Sequence, residues 1–422
     1  MSQPGPSPLS TGDCSVAQAR AAIAAALRPI TGNECVPLSQ ALGRVLAADV
    51  VSPIDVPAHD NSAMDGYAFC GATLQPGQAT ELRVVATVFA GAPYTAAVAN
   101  GECVRIMTGA VMPAGLDTVV PQELCRAEGE QVHIEPGTVR QGENRRRRGE
   151  DLAVGRPAVH AGRTLRPADL GLVASLGIGQ VTVMRRLRVA LFSTGNELRT
   201  LGQPLDPGCV YDSNRHSLMA AVQRLGMEVI DLGLVRDEPA ALQATLEAAV
   251  AQADVVLTSG GVSVGEADHT RALLASMGEV AFWKVAMRPG RPFAFGSLRR
   301  KDGGAPTWLF ALPGNPVAAL VTFYVFAREA LQQLAGATPQ PLPVLQARCA
   351  TDIRKRAGRT EFQRAVVEPA PAGGWQVRLT GSQGAGVLRS MSEANALLVL
   401  RHEQGSVQAG EPVDVWLFDG VA

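Results

Sequence analysis

The sequence lacks any apolar stretch long enough to cross a membrane. The longest run, residues 317–327, is interrupted only by Thr322, and a bilayer requires about 20 consecutive apolar residues. Residues 1–13 are polar and rich in proline, with neither the basic start nor the apolar centre of a signal peptide. We therefore expect a cytoplasmic protein with no membrane partner.

Net charge and paired cysteines are lacking as well. A formal net charge of −1 gives no global field for nucleic acid, so we expect no nucleic-acid partner. Lysine occurs only at positions 284, 301 and 355, which makes Lys284 conspicuous in its apolar segment. The seven cysteines are scattered singly without a C-x-x-C pair. This pattern indicates reduced thiols and excludes a zinc or haem site built from local spacing.

The chain has 422 residues, which are too many for one ordinary hydrophobic core. Its segments differ in their patterns of apolar and turn-forming residues, which indicates several domains. Residues 52–151 have short alternating strands with Gly and Pro turns, which predict an all-β domain. Residues 187–337 alternate strands and helices at βαβ spacing, which predicts a mostly parallel sheet covered on both faces. After a proline-rich linker, the last segment predicts a small β domain without a helical run. Helical spacing of apolar residues predicts further helices at 15–27, 35–51, 165–176 and 317–334.

The stretch ADVVLTSGGVSVGEADHT, residues 253–270, points most directly to a ligand. A buried strand near 254–257 runs into glycines, which let a ligand approach the backbone closely. The carboxyl end of a parallel strand is where α/β sheets bind ligands, and a helix starting near Asp268 would favour an anion there.

The same letters fit a second pattern, the G-x-S-x-G nucleophile elbow of hydrolases, at Gly261, Ser263 and Gly265. An elbow places its serine directly between strand and helix, whereas this strand ends several residues too early. Only His269 and His402 follow the serine. We therefore interpret the glycines as a ligand-approach loop.

Charged residues gather at predicted strand ends. Glu197, Asp237, Glu266 and Asp268 could hold Mg²⁺ from one rim of the sheet, the alternative for each being an acid in the first turn of a helix. Three groups of basic residues could either contact an anion or lie in solvent at the surface. They are Lys284, Arg288 and Arg291, then Arg359 and Arg364, and the run Arg145 to Arg148. Asp65, Thr108 and Asp151 lie at turn-like positions, and composition gives them only turn roles.

Taken together, the motifs resemble the molybdopterin molybdenumtransferase family, known as MoeA in bacteria and as the E domain of gephyrin-type proteins. The matching segments are DNSAMDGYA (60–68), RIMTGA (105–110), RRRGED (146–151), ALFSTGNEL (190–198), YDSN (211–214), SGGVSVGEAD (259–268), FWKVAMRPGRPFAFG (282–296), LPGNPV (312–317) and EFQR (361–364). They occur in family order over nearly the whole chain.

The resemblance implies insertion of molybdenum from molybdate into adenylylated molybdopterin, with release of AMP and assistance from Mg²⁺. It implies a homodimer with a shared active site, and a molybdopterin adenylyltransferase as a candidate partner. The implied domains are an α/β molybdopterin-binding domain at 9–32 and 178–337, a discontinuous helical stalk at 33–51 and 152–177, the β domain at 52–151 and a C-terminal β-barrel-like domain at 338–422.

The resemblance also assigns roles to residues. The implied catalytic residues are Asp65, Thr108, Asp151, Glu197, Asp237 and Asp268, of which Glu197, Asp237 and Asp268 would hold the metal. The implied substrate-binding residues are Ser259, Gly260, Gly261, Ser263, Asp212, Asn214, Pro313, Gly314, Asn315 and Pro316. The implied molybdate-binding residues are Lys284, Arg288 and Arg364. Asp65, Thr108 and Asp151 would reach the α/β domain of the other subunit.

Two positions depart from the family pattern. Arg288 stands where relatives often have Lys, and Ala385 stands where bacterial relatives place a Ser associated with molybdate; Ser382 or a backbone N–H would be the substitute.

Two other functions stay open. A molybdopterin adenylyltransferase resembles the α/β domain alone, and a non-catalytic binding or scaffold module would need none of the acidic residues.

Overall fold

A computed structural model describes residues 14–260, 267–371 and 373–418, and of residues 267–269 the backbone alone. Its central element is a six-stranded sheet covered by helices. In spatial order the strands are Glu228–Val235, Arg188–Thr194, Val255–Ser259, Thr307–Leu312, Pro292–Leu298 and Gly278–Lys284. The first four strands are parallel, and the last two form an antiparallel edge. The predicted mostly parallel α/β sheet is thereby confirmed.

Helices cover both faces of this sheet because neighbouring residues of a strand point to opposite sides. Val189 and Leu191 pack into one core with Leu218 of a covering helix, whereas Ala190 packs into a second core with Leu246. The helices are Val16–Ala26, Ser213–Arg224, Pro239–Gln252, Ala267–Met277, Pro316–Thr322 and Arg328–Leu334, the last two joined by a π-helical turn at Phe323–Ala327. The helices predicted at 15–27 and 317–334, and the helix start near Asp268, are confirmed.

A second six-stranded sheet forms in the predicted all-β region. Its strands, in spatial order, are Thr118–Pro121, Gly66–Phe69, Glu102–Ile106, Thr80–Val88, Gln131–Ile134 and Arg126–Glu128. Apolar residues fill both of its faces, with Phe69 and Leu82 in one cluster and Ala68 and Val104 in the other. Beside it, the short strand Asn61–Ser62 pairs with Arg145–Arg146. Because Gly66 and Ile106 are paired in register, the sheet brings Asp65, just before one strand, close to Thr108, just after the next.

The segment 35–51 does not form the predicted helix. It contains the strand Asn33–Pro37, a 3₁₀ turn at Leu38–Gln40 and the strand Val50–Val51. The first strand pairs antiparallel with Gln180–Met184, and the last pairs with Pro157–Val159. Pairing with strands that are distant in the sequence outweighs the local helical pattern, because helix propensity is weak compared with tertiary contacts. In the second half of the same unit, the helix predicted at 165–176 is present as Pro167–Ser175.

The C-terminal strands close into a barrel. Around the ring they are Thr360–Pro369, Trp375–Leu379, Val344–Cys349, Pro412–Leu417 and Ala396–Leu400, which pairs again with the first. A short helix at Leu388–Ser392 corrects the expectation of no helical run; five residues are too few to show helical periodicity. The strand Met287–Arg288 pairs with Thr360–Glu361 and joins the α/β sheet to this barrel.

Two further observations concern the whole described chain. No helix among residues 14–260, 267–371 and 373–418 has the length and apolar character to span a membrane. The seven cysteines, all of them within these ranges, are free thiols. The domain boundaries expected from the sequence stay predictions.

Candidate functional site

A cavity of about 900 Å³ lies at the carboxyl ends of the parallel strands, where α/β sheets bind ligands. Its size is within the range of sites for cofactor-sized molecules. The described residues that line it are Thr194, Gly195, Glu197, Leu198, Val210, Tyr211, Asp212, Ser213, Asn214, Asp237, Glu238, Pro239, Leu242, Ser259, Gly260, Thr270, Leu273, Pro292, Pro313, Gly314, Asn315, Pro316 and Gly386. Ten of these were predicted as site residues: Glu197, Asp212, Asn214, Asp237, Ser259, Gly260, Pro313, Gly314, Asn315 and Pro316.

Asn214 connects three sides of the cavity floor. Its side-chain amide donates to the Ser259 hydroxyl oxygen and to the Gly314 carbonyl, each at 2.7 Å. The Ser259 hydroxyl in turn donates to the Pro313 carbonyl at 3.4 Å. Both N–H donors of the amide are used inside the protein, so Asn214 fixes the strand ends relative to one another.

Asp212 lines the cavity but is almost entirely buried, with 1% of its surface exposed. Its carboxylate accepts from the Ser193 hydroxyl at 2.8 Å, from the Arg215 backbone N–H at 3.2 Å and from Arg215 Nε at 2.9 Å. Arg215 also pairs with Asp231 on the neighbouring strand. These bonds make Asp212 the N-cap of the helix that begins at Ser213. Its carboxylate is thus committed to orienting that helix toward the cavity.

Gly260 is where the backbone passes closest to a neighbouring strand end. Its φ angle is +95°, and a Cβ added there would lie 2.3 Å from the Thr194 carbonyl oxygen. Only glycine avoids both the strained φ and this clash. The structure shows a close approach to protein backbone at the cavity wall, and the approach of a ligand that the sequence indicated at this glycine stays a prediction.

Two of the acidic candidates, Asp237 and Glu197, lie on two loops that are hydrogen-bonded to each other. Asp237 accepts from the Thr194 hydroxyl and from the Asn196 backbone N–H at 3.2 Å. Glu197, the next residue after Asn196, also lines the cavity. Among the described residues no group of three or more His, Cys, Asp or Glu side chains is arranged to hold a metal ion. The third expected ligand, Asp268, belongs to the residues of which only the backbone is described, so two carboxylates remain for this wall.

The barrel supplies another wall of the cavity. Gly386 lines it, and the carbonyl of the preceding residue, Ala385, accepts from the Val317 N–H at 3.0 Å. Val317 is in the first turn of the helix that begins at Pro316. The loop that departs from the family pattern at Ala385 therefore contacts the α/β unit through its backbone.

None of the three cationic candidates is among the described residues that line the cavity. Lys284 is opposite Pro292 in the edge hairpin, and Pro292 lines the cavity. Arg288 pairs in backbone register with Glu361 of the barrel. Arg364 is buried, and burial together with the Arg288 charge lowers the pKa of its guanidinium to about 10. Two positive charges therefore lie close enough to repel each other.

The three candidates of the β region do not line this cavity in their own chain. The Asp65 carboxylate accepts from the Thr108 hydroxyl and from the Thr108 backbone N–H, both at 2.7 Å. Those two hydrogen bonds lower the pKa of Asp65 below its ordinary value. Asp151 is exposed, and its N–H donates to the Val56 carbonyl at 3.1 Å. The structure thus joins Asp65 to Thr108 and holds the Asp151 loop along residue 56.

Some candidates lie outside the described residues. These are Gly261, Ser263, Gly265 and Glu266 of the glycine-rich stretch. The strand before them ends at Ser259, as the argument against a nucleophile elbow expected. The predicted roles of Gly261, Ser263 and the Asp268 side chain accordingly stay predictions.

Comparison with known proteins identifies the family. Family models match residues 14–177 as the MoeA N-terminal region (domain I and II), residues 190–333 as a probable molybdopterin binding domain and residues 346–418 as the MoeA C-terminal region (domain IV). The molybdopterin molybdenumtransferase of Haemophilus influenzae is 42% identical over 95% of this chain and 98% of its own length. The chain belongs to the molybdopterin molybdenumtransferase family.

Further relatives agree with this membership. The molybdopterin molybdenumtransferase of a Nostoc strain is 38% identical over 90% of this chain and 88% of its own length. A solved structure of the molybdopterin biosynthesis moeA protein of Pyrococcus horikoshii has a TM-score of 0.81 and 28% identity, covering 96% of this chain and all of its own. The family resemblance therefore extends over both sheets and the barrel.

Several residues that shape this transferase-family site were missed by sequence reasoning. Thr194 and Asn196 hold Asp237, and Ser193 and Arg215 hold Asp212. All four lie inside or beside the motifs STGNE and YDSN, in which only Glu197, Asp212 and Asn214 were singled out. For Thr194, Asn196 and Ser193, a polar side chain at a strand end was the available signal.

Proposed function

We propose that this chain transfers molybdenum from molybdate to adenylylated molybdopterin and releases AMP. The observation that carries the proposal is the cavity of about 900 Å³ with Glu197 and Asp237 on one wall and Lys284 beside the lining residue Pro292. A nucleotide-linked pterin is large and anionic, and it needs both a roomy cavity and separate places for metal and oxyanion. The sequence relatives named as molybdenumtransferases support the same activity.

We propose that Mg²⁺ is held at this wall partly by the protein and partly by the substrate. Mg²⁺ is typically bound by one or two carboxylates together with phosphate oxygens and water. Glu197 and Asp237 supply two carboxylates at the cavity wall, and Asp268 is the proposed third ligand. Bound there, Mg²⁺ would polarise a phosphate oxygen of the substrate. Thr194 and the Asn196 N–H keep the Asp237 carboxylate oriented for that purpose.

Molybdate is a tetrahedral dianion, and positive charge should stabilise it in the site. We assign this role to Lys284, Arg288 and Arg364, on the side of the cavity where the barrel meets the α/β sheet. The lowered pKa of Arg364 still leaves its guanidinium charged at neutral pH. The polar residues Ser259, Asn214 and Asn315 and the backbone of Gly260 and Gly314 would position the pterin and nucleotide.

We propose that the working unit is a homodimer with a shared site. Asp65 and Thr108 form one hydrogen-bonded unit, yet neither they nor Asp151 line the cavity of their own chain. A second chain would bring these groups to the cavity, since a two-fold dimer exchanges equivalent surfaces. The proposed reaction uses no protein nucleophile and depends on positioning and electrostatics.

The direct test is an assay of AMP release. Protein incubated with adenylylated molybdopterin, Mg²⁺ and molybdate should release AMP, and omission of molybdate should slow the release. Molybdopterin and ATP, supplied instead, should give no adenylylated product. Formation of that product would favour an adenylyltransferase, and AMP release indifferent to molybdate would overturn the proposed transfer. A non-catalytic scaffold would show neither reaction.

The proposed function also concerns the compartment in which the protein works and the protein that supplies its substrate. A reducing compartment, which we take to be the cytoplasm, is supported by seven free thiols. A molybdopterin adenylyltransferase is the proposed partner because its product is the proposed substrate. Co-sedimentation of the two purified proteins would test this association.

A further inference from the structure

Arg364 is a buried cation whose hydrogen bonds go to neutral groups. Only 1% of its surface is exposed. Its Nε donates to the Ser390 hydroxyl oxygen at 3.0 Å, and its Nη2 donates to the carbonyls of Ser382 and Gly384 at 3.3 and 2.9 Å. A buried charge is costly to maintain. Two of these hydrogen bonds end at residues 382–384 and the third at Ser390, so the buried guanidinium organises the segment 382–390.

The backbone of Arg364 is tied to the same stretch. Its N–H donates to the Gln383 side-chain oxygen at 2.8 Å, and the Gln383 side-chain amide donates back to the Arg364 carbonyl at 3.1 Å. Residues 382–384 are thus bonded to Arg364 through both main chain and side chain. Arg364 therefore holds a glycine-containing loop that has no helix or strand of its own at residues 382–386.

The loop continues directly into the cavity wall. The Ala385 carbonyl accepts from the Val317 N–H at 3.0 Å, and Gly386 lines the cavity. Pro316, at the start of the helix, has no N–H, so Val317 offers an early free donor of that first turn. One end of the loop is therefore held by Arg364, and the other end caps a helix of the α/β unit.

We propose that Arg364 is a positioning residue that holds residues 382–386 against the first turn of the helix at Pro316, and so shapes the wall of the substrate cavity. This role is additional to the charge that Arg364 contributes to the proposed molybdate site. The inference about the loop rests on hydrogen bonds within the chain; its effect on substrate binding rests on the proposed function.

Lysine is the substitution that separates the two roles. It keeps a positive charge but replaces the planar fork of donors by a single ammonium group, which cannot reach the same three acceptors in the same directions. Methionine removes the charge at similar length and needs no solvation when buried. Arg378→Met is the control, because Arg378 is on the neighbouring barrel strand Trp375–Leu379, is exposed and pairs with the part-exposed Glu368 at 3.6 Å.

The first experiment needs no substrate. In hydrogen–deuterium exchange of the full chain, Arg364→Lys and Arg364→Met should raise exchange at residues 382–386 and at the Val317 amide about tenfold. Strands elsewhere in the barrel, such as Pro412–Leu417, should exchange at the original rate, as should the whole Arg378→Met control. Unchanged exchange at 382–386 in the substituted proteins would overturn the proposal.

The unsubstituted protein provides a measurement that does not depend on any variant folding. The Val317 amide should be protected, in contrast to an uncapped first-turn amide, because Ala385 accepts its hydrogen bond. Rapid exchange at Val317 would contradict the contact between loop and helix. This result is independent of whether the chain has the proposed activity.

Kinetics then separate positioning from direct contact. A displaced wall should raise the KM for adenylylated molybdopterin about tenfold in both Arg364 variants, beyond any change in the KM for molybdate. If Arg364 acted by charge alone, Arg364→Lys would keep the KM for adenylylated molybdopterin and Arg364→Met would alter only the molybdate KM. That outcome would refute the wall-shaping role while leaving the transferase assignment in place.

Discussion

The side-chain amide of Asn214 donates to the Ser259 hydroxyl oxygen at 2.7 Å and so links the first turn of a helix to the end of a buried strand. The same amide reaches the Gly314 carbonyl on the next loop. Three chain segments distant in sequence are therefore aligned by one small side chain at the floor of the cavity.

Substitution Asn214→Ala should loosen this floor. Each lost hydrogen bond to a neutral acceptor is worth about 0.5–1.5 kcal/mol, so we expect the KM for adenylylated molybdopterin to rise about tenfold. Steady-state AMP release is the measurement. As a control, Asn395→Ala removes an equally bonded amide from the barrel and should lower stability with little change in KM. Equal KM values in wild type and Asn214→Ala would contradict the alignment role.

Substitution Gly260→Ala should damage the site through the backbone. The added Cβ would meet the Thr194 carbonyl at 2.3 Å and would also require a positive φ. Gly101→Ala is the matched control, because Gly101 has φ +80° but open space around it. Backbone strain alone costs about 1–3 kcal/mol, so thermal unfolding should show a clearly larger loss for Gly260→Ala. Equal losses of thermal stability in the two variants would mean that a small shift of the backbone relieves the clash with Thr194.

The Asp237 carboxylate should be required for use of Mg²⁺. Asp237→Asn keeps the size of the side chain but removes the charge, so we expect the Mg²⁺ concentration needed for half-maximal AMP release to rise by about tenfold or more. Glu238→Gln is the control, because the adjacent Glu238 side chain also lines the cavity and is exposed, and among the described residues it forms a long ion pair with Arg236 at 3.8 Å. An unaltered Mg²⁺ dependence in Asp237→Asn would remove this residue from the metal site.

Mixing two impaired variants tests the proposed shared site. At a Mg²⁺ concentration that saturates the wild type but not Asp237→Asn, Asp65→Asn and Asp237→Asn should each release little AMP when assayed separately. In a mixed dimer, one site would combine the intact Asp65 of one chain with the intact Asp237 of the other. Random exchange of subunits should therefore restore about a quarter of the wild-type activity. Activity that stays at the level of the separate variants would show that both residues serve a site within one chain.

The pair Arg185–Asp254 should make stability depend on acidity. Burial would raise the pKa of Asp254, but hydrogen bonds from the Arg185 guanidinium, both at 2.8 Å, and from the Arg188 N–H lower it below its ordinary value. A carboxyl whose folded-state pKa is lowered stabilises the fold above its unfolded pKa of about 3.9, and this contribution is lost as the pH falls through the folded value.

Asp254→Asn should accordingly lower the free energy of unfolding by about 1–3 kcal/mol at neutral pH. Chemical denaturation at neutral and at strongly acidic pH is the measurement, and the difference from wild type should shrink in acid. Glu128→Gln removes an exposed ion pair with Arg126 and should change little at either pH. A difference for Asp254→Asn that does not vary with pH would contradict the contribution of the charge.

The sequence predicted the α/β sheet well because its strands are short, apolar and separated by long helices. Burial on both faces leaves such strands little freedom in composition. The strand direction at the edge was less accessible, since the run at 278–284 has the same composition whether it pairs parallel or antiparallel. Segment 35–51 was predicted wrongly because its helical spacing says nothing about the distant strand Gln180–Met184 that it meets.

The candidate site shows the same division. Glu197 and Asp237 were found from their positions at strand ends, and the ten predicted residues that line the cavity also include residues assigned through the family resemblance. Burial was not visible in the sequence: Asp212 was expected to bind substrate, yet its carboxylate is taken by Ser193 and Arg215. Arg364 was equally ambiguous, because the alternation of a barrel strand does not reveal which loop will fold over it.

The two-residue strand Met287–Arg288 hydrogen-bonds to Thr360 and Glu361 of the barrel. It lies between the edge strands that carry Lys284 and Pro292, so the barrel is hydrogen-bonded to this hairpin. A movement of the barrel away from the sheet would have to break this pairing first. Because Lys284 and Arg288 lie in and beside the pairing, we expect the proposed molybdate site to keep its shape when the rest of the cavity opens for the substrate.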